Sequence, residues 1–401
     1  MQKHQRSLLG TLEKKILEKR KFIQVVAGPR QVGKTTLVNQ LVAKNLIFSE
    51  SYAVDGVLNS DGTWINAIWE KMRADMRERG EVDGLLVIDE IQKISNWSEY
   101  VKMNWDIDSK NGLNLKLIIL GSSRLLLQQG LSESLFGRFE MNYLGHWSFA
   151  EMHEAFDIDE EQYIWFGGYP GAVDLISDEA RFKSYIANAV IESTLNRDIL
   201  VLTNIRKPAL LSRLLELGSA YSSQILSYNK ILGQLNEKGN TSTLAYYVKL
   251  LDQSGLVAGL DAYSKKLLKI RASSPKFQVY DTALISASNQ MMSFAEAKSD
   301  TDYWGRMVES AIGAHLLSLV ASNPTVKIFY WREDDNEVDF VLKSGDKIVG
   351  IEVKSGVENR IPTGLRSFSK TFSSARTILV GADGMDYRKF LRLSLEQIFD
   401  R

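Results

Sequence analysis

The stretch FIQVVAGPRQVGKTTLVNQLVAK, residues 22–44, constrains this chain more than any other. It reads as a short apolar strand, a glycine-bearing loop, and an amphipathic helix that opens on a lysine. Gly28-Pro29-Arg30-Gln31-Val32-Gly33-Lys34-Thr35 fits the P-loop pattern GxxxxGK followed by Ser or Thr. Gly28 and Gly33 are expected to take backbone angles that turn successive N–H groups inward around phosphates. The helix N-terminus adds the positive end of its dipole. Lys34 is expected to bridge the β- and γ-phosphates and Thr35 to ligate magnesium, with Thr36 completing the loop. A chance glycine loop would not be flanked by strand and helix in the order that phosphate binding demands.

A second element points the same way. Gly84-Leu-Leu-Val-Ile-Asp89-Glu90 reads as a buried strand ending in two acids. A parallel strand delivers such residues to its C-terminal edge, where the P-loop also lies. Asp89 is expected to hold the magnesium through water, and Glu90 to polarise the attacking water, which makes the site hydrolytic. A third strand, Leu115–Leu120, ends in Gly121-Ser122-Ser123-Arg124; Ser122 or Ser123 is expected to sense the γ-phosphate. Arg138 reads either as an arginine finger towards a neighbouring subunit or as a plain surface arginine.

Composition excludes several classes. The 401 residues favour two or three domains, and 49 Lys plus Arg balance 49 Asp plus Glu, so any nucleic-acid surface has to be local. With no cysteine there is no disulfide, zinc finger or thiol chemistry, which suits a reducing cytoplasm. The four histidines show no ligand spacing. The N-terminus is basic but has no apolar signal segment, and the longest apolar runs are strand-length, so no membrane span is expected.

GPRQVGKTTL, LLVIDEIQKI, LGSSRLLL and ESLFGRFEMNYLGHWSFAEM follow one another in the order of a prokaryotic AAA-type, additional-strand ATPase family whose members carry a conserved C-terminal domain of unknown function. The chain resembles that family over most of its length, except that His146 stands where members usually have proline. The resemblance implies ATP rather than GTP, there being no NKxD-type base-reading motif, and leaves room for a homo-oligomer.

Beyond about residue 150 the pattern changes. Residues 151–221 read as helical, interrupted by FGGYPGA. Residues 222–295 read as helix, turn, helix and two-stranded ribbon, the order of a winged helix, with Thr241 or Ser242 capping the second helix. Between Ser222 and Phe277 eight Lys/Arg face three Asp/Glu, and Lys265, Lys266, Lys269 and Arg271 fall on the wing. The functional reading is contact with DNA phosphates; the other is a module used for packing. The second helix, TSTLAYYVKLLDQ, has one lysine and no arginine, which is poor equipment for reading base edges.

Residues 296–401 read as helix, three strands, helix, strand, helix. Gly345-Asp346 signals a tight hairpin in which Val338 faces Val353, Phe340 faces Ile351 and Leu342 faces Val349. That register sets Asp339 opposite Glu352 and Glu337 opposite Lys354, so something positive has to offset the acids: Lys354 or a divalent metal. Asp339, then Glu352-Val353-Lys354, with Glu309 on the preceding helix, resembles the PD-(D/E)xK nuclease core, which implies a magnesium site formed by those four residues. A charged sheet face held by ion pairs to Lys354 is the competing reading.

The expectation is therefore an α/β chain: a P-loop AAA-type domain over 1–150, a helical extension over 151–221, a winged-helix module over 222–295 and a nuclease-like domain over 296–401. Its function reads as hydrolysis of MgATP as a switch coupled to a nuclease-like module acting on DNA. The alternative is an ATP-gated protein-interaction regulator whose nuclease-like fold is an inactive scaffold.

Overall fold

Strand β1 (Ile23–Ala27) is buried along its whole length, and the sheet around it explains why. In a computed structural model, residues 4–56, 61–121, 134–200, 205, 207–234, 240–264, 274–354, 362–381 and 383–400 are described. The chain forms two compact units, Met1–Leu144 and Gly145–Arg401. In the first, β2 (Phe48–Ala53), β3 (Asp83–Asp89), β4 (Asn114–Gly121) and β5 (Phe139–Tyr143) join β1 in the order β2-β3-β4-β1-β5, every pair parallel. Helices α1 (Leu8–Leu17) and α2 (Lys34–Val42) pack one face around Val26, Leu85 and Leu120. Helices α3 (Gly62–Arg79) and α4 (Trp97–Asn111) pack the other around Val25, Leu86 and Ile119. With both faces covered, the central strands are buried on both sides and mostly apolar rather than alternating. β1, β3 and β4 lie where the sequence places them; β5, whose residues alternate only weakly, is an addition the sequence did not single out.

The second unit begins with α5 (Phe149–Phe156) and α6 (Glu160–Phe166), each opened by a reciprocal capping box, at Ser148/Glu151 and Asp159/Gln162. FGGYPGA ends α6 as expected. After α7 (Glu179–Tyr185) the winding loosens, because Ile186–Glu192 and Thr194–Leu200 are π-helical. Their buried residues Ile186, Val190, Leu195 and Ile199 are 4, 5 and 4 apart, a wider repeat than the α-helix provides.

Helices α8 (Pro208–Ala220), α9 (Tyr228–Gln234) and α10 (Thr241–Gln253) precede a ribbon of β6 (Val257–Leu260) and β7 (Lys276–Val279), with Ile225 bridged to Lys276. The cap of α10 is Asn240, one residue before the expected pair, because its carboxamide accepts the Ser242 N–H at 3.0 Å. Lys265, Lys266, Lys269 and Arg271 lie outside the described residues. Helices α11 (Ala283–Ser288) and α12 (Phe294–Ser299) lead into the long helix α13 (Thr301–Ala321).

A four-stranded sheet follows, ordered β11-β10-β9-β8, from β8 (Val326–Glu333), β9 (Asn336–Ser344), β10 (Lys347–Lys354) and β11 (Arg376–Gly381). Helix α14 (Thr363–Thr371) separates β10 from β11, and the short helices α15 (Tyr387–Phe390) and α16 (Leu395–Asp400) close the chain. The hairpin register is the expected one for Phe340↔Ile351 and Leu342↔Val349. It stops there. Against β8 the register shifts between Phe329↔Val341 and Trp331↔Val338, a β-bulge that puts Val338 and Val341 into one apolar cluster. The expected pairing of Val338 with Val353, and the strict alternation through Asp339, is therefore corrected. Among the described residues no helix is long and apolar enough to cross a membrane.

Candidate nucleotide site and carboxylate centre

The loop between β1 and α2 turns through left-handed angles, at Gly33 as expected and at one residue that was not. Gly33 has φ 90° and Gln31 has φ 63°, so Gln31, not Gly28, shares the left-handed geometry. Gly28 serves close approach instead, since a Cβ there would lie 2.0 Å from the Leu144 carbonyl oxygen. Lys34, at the first turn of α2, is buried and donates to the carbonyls of Gly28 (2.9 Å) and Pro29 (2.7 Å). Val32 anchors the loop in the apolar cluster beneath it.

β3 brings its acids to the same edge. Thr35 Oγ1 donates to Asp89 Oδ2 at 2.7 Å, across 54 residues of sequence. This hydroxyl and carboxylate are hard oxygen donors of the kind magnesium takes with a bound triphosphate, so the residues present fit that ion. Glu90 is held at φ 56°, receives a hydrogen bond from Gln92 Nε2 at 3.0 Å and stands 3.4 Å from Lys93 Nζ. Burial pushes its carboxyl above the usual range, with Lys93 and Arg30 opposing. That direction suits a group that takes a proton near neutral pH.

Residues 20–153 match the family model described as an AAA domain. The N-terminal unit has an AAA-type P-loop fold. Residues 158–294 and 304–395 match two models, each described as a domain of unknown function (DUF8612 and DUF4143). No curated protein matches the chain. Among solved structures, the RuvB Holliday junction branch migration motor of Thermotoga maritima is 17% identical, covering 63% of this chain and 89% of that one, with a TM-score of 0.35. The ORC1 protein of Aeropyrum pernix in complex with DNA is 12% identical, covering 73% and 93%, with a TM-score of 0.32. Likeness at those scores carries no functional weight.

In the AAA-type domain, Thr36 lies exposed on α2, while Ser122 and Ser123 fall outside the described residues. Arg138 makes a two-pronged contact with Asp106 of the same domain, at 3.0 and 3.2 Å. His146, at the start of the second unit, is buried; its Nε2 lies 3.1 Å from the Gly255 carbonyl oxygen and its Nδ1 3.4 Å from Asp281.

The C-terminal acids do come together, around a partner that sequence reasoning missed. Lys276 Nζ, on β7 and wholly buried, lies 2.9 Å from Asp339 Oδ1, 2.9 Å from Glu309 Oε1 and 3.4 Å from Glu337 Oε1. The other Asp339 oxygen accepts the Val353 N–H at 2.8 Å, just beyond the last paired residues of the hairpin, Phe340 and Ile351. Lys354 pairs with its near neighbour Glu352 at 3.0 Å, and Glu352 Oε2 is buried without a hydrogen-bond partner among the described residues. Burial weighs against the Lys276 charge, but Asp339, Glu309 and Glu337 outweigh it and raise the ammonium above its ordinary value. Burial opposes the Asp339 charge too, yet Lys276 and the Val353 N–H hold that carboxyl low. Burial, reinforced by Asp339, pushes Glu309 up to about 8 and Glu352 up to about 7. The signal available in the sequence was a lysine inside SSPKFQVY, alternating with Phe277 and Val279 on a short strand.

Proposed function

We propose that the AAA-type domain hydrolyses MgATP and that its nucleotide state acts as a switch on the modules that follow. The contact between Thr35 and Asp89 carries the reading, because it joins the P-loop helix to the acidic strand end beside Lys34. Magnesium would be held by Thr35 and, through water, by Asp89, where it offsets charge on the phosphates. Lys34 exchanges the Gly28 and Pro29 carbonyls for β- and γ-phosphate oxygens. Glu90 orients a water and receives its proton as the water attacks the γ-phosphorus, giving ADP and phosphate. Arg138 reaches a neighbouring copy's nucleotide only by leaving Asp106.

Two variants test this. Lys34→Ala is expected to abolish ATP binding, read by titration with a fluorescent analogue. Glu90→Gln is expected to keep binding while turnover falls at least about a hundredfold. Turnover that survives either change defeats the reading.

For the C-terminal unit, the helix order of residues 208–279 supports a winged helix, and α13 with the β8–β11 sheet supports a nuclease-like fold. The embedding of Lys276 among the acids favours the second of the two readings, a regulator whose nuclease-like fold is a scaffold. DNA contact rests on the charges between Ser222 and Phe277 other than the buried Lys276, seven Lys/Arg against three Asp/Glu.

A further inference from the structure

A nuclease-like centre of Glu309, Asp339, Glu352 and Lys354 calls for a divalent metal, and the residues as arranged do not fit one. Among the described residues no group of three or more histidine, aspartate or glutamate side chains is placed to hold a metal ion. Both Asp339 oxygens are engaged, one by the Lys276 ammonium and one by the Val353 N–H. Glu309 turns an oxygen to the same ammonium, and Glu352 turns one to Lys354. The point where two carboxylates converge is filled by a nitrogen of the protein itself.

We infer that Lys276 is the resident cation of this centre, and that its ammonium and a divalent metal are alternative occupants. Three features show a built position rather than an incidental ion pair. First, Lys276 is 0% exposed, and its charge lies 5.1 Å from the centroid of the Phe340 ring as well as against the carboxylates. Second, its strand neighbour on the same face, Gln278, is equally buried and fully bonded: Nε2 donates to the Ser310 and Val279 carbonyls, and Oε1 accepts from Ser223. Third, Gly313 of α13 makes room for that carboxamide, since a Cβ there would lie 2.1 Å from Gln278 Oε1. β7 thus presents a polar edge, Lys276 and Gln278, to α13 and the bulged strand β9. The lysine gives the acids the positive charge that a metal would give, and joins the ribbon to the sheet in doing so.

The test is manganese binding to the nucleotide-free full-length chain, read by the loss of the free-ion electron paramagnetic resonance signal. The inference is independent of ATP turnover, so its failure and that of the ATPase reading are separable. The wild type is expected to show no manganese site that Asp339→Asn removes. Lys276→Met, which keeps the length and drops the charge, is expected to melt lower and to bind manganese at least roughly tenfold tighter than the wild type. Manganese is expected to raise its melting temperature but not that of the wild type, and Asp339→Asn added to Lys276→Met is expected to cancel the gain. A wild-type site lost in Asp339→Asn overturns the inference, and so does a folded Lys276→Met chain that gains no site. Should Lys276→Met fail to fold, the wild-type titration against Asp339→Asn still decides.

Discussion

Gly28 shows how one atom of bulk can govern the nucleotide site. A methyl group there would meet the Leu144 carbonyl, whose own N–H is tied to the Ala27 carbonyl at 2.8 Å, so the backbone on that side has little room to yield. Gly28→Ala is expected to cost about 1–3 kcal/mol of stability in the first unit and to weaken ATP binding, measured by urea unfolding and analogue titration. Unchanged values in both would show that the loop relaxes freely. The meeting of Thr35 with Asp89 was legible from the loop pattern and the apolar strand that ends in the acid, whereas the close approach at Gly28 was not. Gln31 at φ 63° was not, since the left-handed turn sits on a residue type that rarely adopts it. Lys276 was missed for another reason: its partners are 33 to 63 residues away, and no local pattern announces an ion pair between modules.

Elements were read well where one period ran unbroken and poorly where it changed midway. The strands β1, β3 and β4 are short, mostly apolar runs and fell in place. The bulge in β9 was invisible because Val338, Phe340 and Leu342 alternate perfectly in the sequence; the extra residue shows only against β8. Likewise the 4, 5, 4 spacing of residues 186–199 looks helical until it is counted. The long helix α13 yields a prediction at this scale. His315 is buried, with Nε2 3.0 Å from the Leu393 carbonyl oxygen and its ring edge-on to Phe390 of α15. Burial lowers its pKa to about 4, the Leu393 contact opposing. A depressed folded value means that the stability is complete above the unfolded value near 6.5 and is lost as pH falls towards 4. Between pH 7 and 5 the loss attributable to His315 is expected to be about 2 kcal/mol. His315→Gln, compared with the wild type by urea unfolding at both pH values, should remove that difference; parallel slopes would refute the assignment.

For the whole molecule, two compact units imply two cooperative transitions. Calorimetry is expected to resolve them, and a non-hydrolysable ATP analogue with magnesium should raise only the one belonging to Met1–Leu144. At a hundred times the dissociation constant the gain is about 2.7 kcal/mol. A single transition that shifts as a whole would contradict it. The α/β plan of the first unit was legible apart from β5, because each strand–helix alternation is local. How the ribbon is joined to the last sheet was not.

That junction has a consequence for how the ribbon finds its alignment. β6 and β7 pair over only four residues, too few for hairpin contacts alone to exclude a slip. Yet moving β7 by one position would drive the Phe277 ring in among carboxylates and turn the Lys276 ammonium towards Val257 and Gly218 on the apolar side. The buried charge on one face and the Phe277 ring on the other thus act as a key that admits β7 in a single alignment.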